Sequence, residues 1–241
     1  MTKVWAHRGA KGYYPENTLI SFEGAIKQKA DGIELDVQLS KDGYIMVCHD
    51  ETLNRTTNGK GFIKNYNLYE LKQLDAGAWY DKKFKGEKLP LLDEVLELIK
   101  GTNMDLNIEI KAGSIFYPGI EEKVIKMVNK FGIKEQVIIS SFDHYALLKA
   151  KEIDNTIKTG LLYMESLYKP LKYVKTIKVN ALYPNYITLN KELVEEANEL
   201  NVDINTYTVN HEDDAKLIKQ LDINAIITDY PDIVKNILEN N

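Results

Sequence analysis

The sequence predicts an α/β protein built as a TIM (β/α)8 barrel, on the basis of three observations. Behind a less regular first third, short β-branched runs alternate with amphipathic stretches of about ten residues, the pattern of parallel βα units. No Gly-x-Gly-x-x-Gly motif opens a helix, which disfavours the rival open, doubly wound sheet. The length of 241 residues suits one barrel, so we predict a single domain over residues 1–241.

Eight segments are predicted to be the barrel strands, two before the regular alternation and six that are each followed by a helix. The strands are Lys3–Ala6, Gly32–Val37, Leu106–Ile110, Gln136–Ser140, Lys158–Tyr163, Ala181–Pro184, Asp203–Thr208 and Ala225–Thr228. The helices are Gly119–Phe131, His144–Lys151, Leu167–Thr176, Lys191–Glu199, Asp213–Leu221 and Ile233–Glu239.

The irregular part of the chain begins with a hairpin instead of a helical crossover. Lys41-Asp42-Gly43 is a turn signal between alternating stretches. A two-residue turn would place His49 opposite Asp36, and a turn two residues longer would place it opposite Glu34, on the carboxylate face in either case. Residues 51–88 are expected to form an inserted excursion over one barrel end, not a separate domain.

Three acidic residues interrupt two otherwise apolar strands. Glu34 and Asp36 alternate with Ile33, Leu35 and Val37, and Glu109 lies within Asn107-Ile108-Glu109-Ile110-Lys111. If the apolar residues face the helices, the carboxylates converge inside the barrel, where unpaired charges are costly. Oxygen-only ligands select a hard cation, so one Ca²⁺ or Mg²⁺ is predicted. The alternative is a structural ion-pair lattice with Lys111 and Arg8.

Two histidines follow strands at positions that would meet at the barrel mouth. His7 ends the first strand and His49 ends the hairpin, and such chain ends carry catalytic groups in TIM barrels. A pair of imidazoles beside a phosphate can divide general acid and base duties. Arg8 and Lys111 supply positive charge for the phosphate oxygens. The alternative for each histidine is a hydrogen-bonded structural role.

Several other residues carry weaker signals. In Pro15-Glu16-Asn17-Thr18, Asn17 or Thr18 is expected to cap the first helix, and capping alone explains Asn17. Glu16 either favours the helix dipole or orients Arg8. Asp229, between the last strand and the last helix, is expected to be a turn residue.

Three further side chains are assigned from their place in the strand pattern. Phe142 and Tyr207 form an apolar wall for a substrate or pack in the core. Cys48 precedes His49, so alternation points it to the opposite face, and we interpret it as a core residue and not a nucleophile.

Composition excludes several function classes. The net charge of −5 lacks the basic surface of a nucleic-acid binder, so no nucleic-acid partner is expected. No apolar run approaches the ~20 residues of a membrane span, so no membrane anchor is expected. The first residues lack the apolar region of a signal peptide, and we expect a cytoplasmic location.

These residues together resemble the bacterial glycerophosphodiester phosphodiesterases. Six ordered motifs carry the resemblance: His7-Arg8-Gly9, Pro15-Glu16-Asn17-Thr18, Glu34-Leu35-Asp36-Val37, His49-Asp50, Glu109-Ile110-Lys111 and Ile227-Thr228-Asp229-Tyr230-Pro231. The resemblance implies a TIM barrel of the PLC-like phosphodiesterase type with a small insertion after the second histidine. It also implies a Ca²⁺ or Mg²⁺ site at Glu34, Asp36 and Glu109, and an acid–base pair at His7 and His49.

The implied reaction converts a small-molecule glycerophosphodiester into glycerol 3-phosphate and an alcohol, a step of lipid and glycerol metabolism. In one route the neighbouring glycerol hydroxyl attacks first and gives a cyclic phosphate that water then opens. In the other route water attacks the phosphorus directly. Tyr207 stands where relatives often carry tryptophan, which leaves the leaving-group preference open. The alternatives are a same-fold phosphodiesterase that acts on lysophospholipids or stops at the cyclic phosphate, and a non-catalytic binding barrel. The chain lacks the His-x-His pair of the metal-dependent amidohydrolases.

Overall fold

In the computed structural model, the protein is a barrel of parallel strands surrounded by helices. The structure describes residues 2–111 and 116–240. The strands are β1 (Lys3–His7), β2 (Gly32–Leu39), β3 (Ile45–Val47), β4 (Asp105–Ile110), β5 (Val137–Ser141), β6 (Lys158–Tyr163), β7 (Ala181–Pro184), β8 (Asp203–Thr206) and β9 (Ala225–Thr228). The α-helices are α1 (Leu19–Lys27), α2 (Leu68–Gln73), α3 (Leu92–Ile99), α4 (Ile120–Phe131), α5 (His144–Ile153), α6 (Pro170–Ile177), α7 (Lys191–Glu199), α8 (Glu212–Lys219) and α9 (Pro231–Glu239).

The strand order closes on itself. Hydrogen bonding runs β1-β9-β8-β7-β6-β5-β4-β2, and β1 pairs with β2 to complete the ring. Every pairing within this ring is parallel. The predicted TIM barrel is confirmed, with β8 ending two residues earlier than predicted. No helix among the described residues is long and apolar enough to cross a bilayer.

Alternation along β2 sorts its side chains into two environments. Ile33, Leu35 and Val37 are fully buried in the apolar layer between the barrel and its helices. Glu34 and Asp36, which alternate with them, point to the opposite face of the strand, inside the barrel.

Aromatic and aliphatic side chains fill part of the barrel interior. Trp5 and Tyr183 pack with their ring centroids 6.3 Å apart, within a cluster that also includes Leu162, Ala181, Ala225 and Ile227. Gly160 leaves space for this cluster, because a Cβ at position 160 would lie 2.1 Å from the Tyr183 ring. This packed cluster makes the barrel interior a core and not an open channel.

The hairpin register differs from both predicted registers. β3 runs antiparallel to β2 outside the ring, and Leu39 pairs with Ile45 across a five-residue loop. The Cys48 amide therefore donates to the Asp36 carbonyl at 3.0 Å, and strand pairing has ended before His49. His49 does reach the carboxylate side, but through a bend and not through alternation.

A buried amide shapes that bend. The Gln38 side chain donates to the carbonyls of Cys48, His49 and Asp50, at 3.1 Å for the first and 2.9 Å for the second. Three successive carbonyls therefore point at one side chain, which turns the chain away from the sheet.

Residues 51–88 form a loop-rich excursion with the short helix α2 and two 3-10 turns, Ile63–Asn65 and Lys82–Phe84. The excursion packs around an apolar cluster that combines its residues Leu53, Ile63, Leu71 and Ala76 with the flanking Met46, Cys48 and Leu89. Cys48 is buried there, and burial raises the pKa of its thiol to about 12, which confirms a core residue. Tyr80 ties the excursion to the chain after β1 by donating to the Gly12 carbonyl at 2.8 Å.

Candidate active site

The side chains selected from the sequence gather at the carboxyl end of the barrel strands. A cavity of about 240 Å³ opens there. It is lined by His7, Arg8, Glu34, His49, Asn107, Glu109, Lys111, Phe142, Leu162, Met164, Tyr207, Thr208 and Ile227. Asp36, the one remaining predicted site residue, belongs to the carboxylate cluster with Glu34 and Glu109. The structure thus brings all nine predicted site residues to one barrel end.

The three carboxylates are held by adjacent strands. Asp36 of β2 lies beside Glu109 of β4 in parallel register, and Glu34 precedes Asp36 by one alternation. One oxygen from each carboxylate lies within 4.8 Å of the others, and all three side chains are buried. Their convergence was predicted from the spacing alone.

The crowding of these groups perturbs their ionisation. Burial raises the pKa of Glu34 well above its usual value, and burial together with the Asp36 charge raises the pKa of Glu109 to about 7. Burial also opposes ionisation of Asp36, but Arg8 and then Lys111 hold its pKa at about 2. Asp36 is thus ionised at neutral pH, whereas burial disfavours the charged forms of Glu34 and Glu109.

The residues present fit a hard divalent cation. Lys111 Nζ lies 2.7 Å from Glu109 and 3.7 Å from Asp36, and Arg8 Nε lies 3.3 Å from Asp36, so the ion pairs of the structural alternative do form. They do not satisfy the cluster, because buried Asp36 Oδ1 has no hydrogen-bond partner among the described residues. An all-oxygen donor set with an unsatisfied oxygen suits Ca²⁺ or Mg²⁺.

His7 is held by a carboxylate from the other end of the chain. Its Nδ1 lies 2.6 Å from Asp229 Oδ1, and Asn210 Nδ2 donates to Asp229 Oδ2 at 3.0 Å. A carboxylate only accepts hydrogen bonds, so neutral His7 carries its proton on Nδ1 and leaves Nε2 as the base. Burial lowers the pKa of His7 to about 4. Asp229 lies in the bend between β9 and α9, as predicted, and its contact with His7 was not predicted.

His49 is held in the same way by its own neighbour. Its Nδ1 lies 2.7 Å from Asp50 Oδ1, and Arg55 contacts both oxygens of Asp50. Burial lowers the pKa of His49, so its ring is also neutral with Nε2 unprotonated. Each histidine thus has its own carboxylate partner, which fixes the tautomer of the ring.

Arg8 is fixed at the cavity by acidic neighbours. Its Nη1 donates to Glu16 Oε1 at 2.7 Å, and its backbone amide donates to Glu34 Oε2 at 3.0 Å. Of the two interpretations of Glu16, the one in which it orients Arg8 is supported. Burial opposes ionisation of Glu16, but Arg55 and Arg8 hold its pKa at about 2.

The assignment of Asn17 to helix capping was wrong. Thr18 caps α1 by accepting from the Ser21 amide. Asn17 has a φ of 55° and donates through Nδ2 to Asp36 Oδ2 at 2.8 Å, and both side chains are buried. Its amide therefore orients a carboxylate of the cluster.

Two aromatic side chains, Phe142 and Tyr207, belong to the lining of the cavity. Phe142 and Tyr207 meet edge to face with centroids 6.0 Å apart, and the Tyr207 hydroxyl donates to the Tyr163 carbonyl at 2.9 Å. Phe142 is 43% exposed, so it is not a core residue.

A barrel mouth with clustered carboxylates, Asp-bound imidazoles and flanking cations defines the class of TIM-barrel phosphoric diester hydrolases. The sequence model of the glycerophosphoryl diester phosphodiesterase family matches residues 7–233. The chain belongs to this family, and it is a phosphoric diester hydrolase.

Similar proteins from several bacteria support this assignment over nearly the whole chain. A glycerophosphodiester phosphodiesterase of Caldanaerobacter subterraneus is 45% identical over 237 residues, which covers 98% of both chains. One of Bacillus altitudinis is 43% identical over 242 residues, which covers 99% of both chains. The structure of an Oleispira antarctica phosphodiesterase, in complex with the product sn-glycerol-3-phosphate, aligns with a TM-score of 0.89. It is 30% identical and covers 100% of this chain and 98% of that one.

Proposed function

We propose that this enzyme hydrolyses glycerophosphodiesters to glycerol 3-phosphate and an alcohol, with His7 and His49 as the acid–base pair. The observation that carries the proposal is the shared cavity, in which two Asp-bound imidazoles and two cationic side chains surround a cluster of three carboxylates. The product bound by the Oleispira antarctica relative supports the choice of glycerol 3-phosphate.

The phosphate would be bound by Arg8 and Lys111. Both side chains are mostly buried, and both contact the carboxylate cluster. Glu16 holds Arg8 and Glu109 holds Lys111, so both positive charges face the same part of the cavity. Glu34, Asp36 and Glu109 would hold a Ca²⁺ or Mg²⁺, which supplies electrostatic stabilisation of the charge that develops on phosphorus.

Acid and base duties would fall to the two imidazoles. A neutral ring accepts the proton of the attacking hydroxyl at Nε2, while Asp229 or Asp50 stabilises the imidazolium that forms. The other ring must donate a proton to the leaving oxygen. The negative charge of a bound phosphate favours the imidazolium form that this step needs.

The attacking group is either the neighbouring glycerol hydroxyl or water. Phe142 and Tyr207 would pack against the glycerol carbons on either route. Phosphorus NMR of the reaction distinguishes the routes, because a cyclic phosphate has its own resonance before water opens it.

The proposal is tested by measuring glycerol 3-phosphate release from glycerophosphocholine, glycerophosphoethanolamine and glycerophosphoglycerol, with and without a chelator. Turnover of at least one of these, lost with chelator and restored by Mg²⁺ or Ca²⁺, is the expected result. No turnover of any of them with either metal, or full turnover after exhaustive chelation, would overturn the proposal.

Lysophospholipids are a second candidate substrate class, favoured by one observation. The apolar side of the cavity continues onto the surface through Phe142 and Met164, and Met164 is 58% exposed. An acyl chain could lie along these side chains and bury them from water. Choline release from lysophosphatidylcholine at a rate matching that from glycerophosphocholine would establish this activity, and its absence would exclude it.

A further inference from the structure

The guanidinium of Arg55 connects the His49 side of the candidate active site to the Arg8 side. Arg55 belongs to the excursion of residues 51–88 and does not line the cavity. Its Nε and Nη2 donate to the two oxygens of Asp50, at 2.8 and 2.9 Å. Its Nη1 and Nη2 donate to the two oxygens of Glu16, both at 2.8 Å. Each of two edges of the planar Arg55 guanidinium thus donates hydrogen bonds to one carboxylate.

On one side, this arrangement fixes His49. Asp50 Oδ1 accepts from Arg55 and also contacts His49 Nδ1 at 2.7 Å, so the position of Asp50 determines the orientation of the ring. Asp50 follows the bend after β3, where strand pairing has ended. Arg55 therefore supplies a restraint that the sheet does not.

On the other side, the arrangement reaches Arg8. Glu16 Oε1 accepts from Arg55 and from Arg8 Nη1, at 2.8 and 2.7 Å. Glu16 is 4% exposed, so its carboxylate has little water to replace either arginine. The order His49, Asp50, Arg55, Glu16, Arg8 is a continuous set of charge-assisted hydrogen bonds.

We infer that Arg55 is a positioning residue, which holds the His49 imidazole and, more weakly, the Arg8 guanidinium in their reactive geometry. The inference rests on the proposed function for the roles of His49 and Arg8. Arg8 keeps its own contacts with Glu16 and Asp36 without Arg55, whereas His49 is held through Asp50. The loss on removing Arg55 therefore falls on kcat more than on KM.

A purely structural role for Arg55 would be to tie the excursion to the barrel. Lys72 makes a comparable tie elsewhere, because its Nζ lies 2.5 Å from Glu94 Oε2 of α3. Neither Lys72 nor Glu94 lines the cavity. Lys72→Ala is therefore a matched control that removes one ion pair of the excursion and leaves the site untouched.

The kinetic test compares Arg55→Ala, Arg55→Lys and Lys72→Ala with the wild-type enzyme on glycerophosphocholine. Removing a residue that orients a catalytic group typically lowers activity about 10- to 100-fold. We expect that loss in kcat for Arg55→Ala, a partial loss for Arg55→Lys, and wild-type kcat for Lys72→Ala. Because the Arg55 side chain is 43% exposed, added guanidinium ions can reach the space it leaves and should restore part of the kcat.

A second measurement separates this inference from the proposed function. Nitrogen-15 NMR of the histidines reports the His49 tautomer without any turnover, with the resonance assigned by a His49→Gln variant. We expect a fixed Nδ1–H tautomer in the wild type and in Lys72→Ala, and a tautomer mixture in Arg55→Ala or, should that variant not fold, in Arg55→Lys. An unchanged His49 spectrum in the Arg55 variants, or equal kcat losses in Arg55→Lys and Lys72→Ala, would overturn the inference.

Discussion

Metal binding by the carboxylate cluster should tighten as the pH rises from about 6 to about 8, since protons and the cation compete for the same oxygens. Glu109 has a pKa of about 7 in the metal-free protein, raised by burial and then by Asp36. A group with that pKa is about nine-tenths protonated at pH 6 and about one-tenth protonated at pH 8, so Glu109 alone weakens the affinity about tenfold at the lower pH. Glu34 adds to the effect with the same sign, because burial raises its pKa as well.

Isothermal titration calorimetry with Mg²⁺ and with Ca²⁺, at equal ionic strength, measures this dependence. Repeating the titration in buffers of different ionisation enthalpy counts the protons released as the metal binds. Glu109→Gln should bind metal more weakly and show a shallower pH dependence, because one titrating ligand has been removed. Equal dissociation constants at both pH values, with no proton release, would refute the assignment of these carboxylates as the ligands.

Three further predictions concern the side chains around the cluster. His7→Ala and His49→Ala should each lower kcat by about 10²- to 10⁴-fold and retain a cooperative thermal unfolding transition. Wild-type rates in either variant, measured by glycerol 3-phosphate release, would contradict the acid–base assignment. Asp229→Asn should lower kcat by about 10²-fold with a smaller change in KM, because an amide can donate to His7 Nδ1 and favour the wrong tautomer; an unchanged kcat would show that Asp229 does not orient His7. Phe142→Ala should raise KM several-fold and leave kcat nearly constant, and an unchanged KM in steady-state kinetics would remove Phe142 from the substrate wall.

The barrel and the convergence of the carboxylates were predictable because both depend on local periodicity. Glu34 and Asp36 alternate with Ile33, Leu35 and Val37, and period-two alternation fixes the face of each side chain wherever one face is apolar. Parallel pairing then brings Glu109 beside Asp36 without any further information.

The hairpin register was not predictable from the turn signal. Asp42-Gly43 indicates a turn, but the loop spans five residues, and the path of the chain into His49 depends on Gln38. No local signal in the sequence indicates that the buried side-chain amide of Gln38 donates to three carbonyls of a later segment.

Three side chains that position the site residues, Asp229, Asn17 and Arg55, were missed, each for a different reason. Asp229 lies 222 positions from His7 and reaches it only because β9 pairs with β1 when the barrel closes. Asn17 fitted a capping pattern that Thr18 satisfies instead, and its true partner is Asp36. Arg55 carried no signal, since an arginine in a polar loop is an ordinary surface residue.

Anomalous diffraction from a crystal grown or soaked with Mn²⁺ tests the carboxylate site most directly. One strong peak is expected between Glu34, Asp36 and Glu109, at about 2.0 to 2.6 Å from an oxygen of each, the range for hard cations with oxygen ligands. A peak elsewhere in the barrel, or none at saturating Mn²⁺, would contradict a metal-assisted phosphodiesterase built on these three side chains.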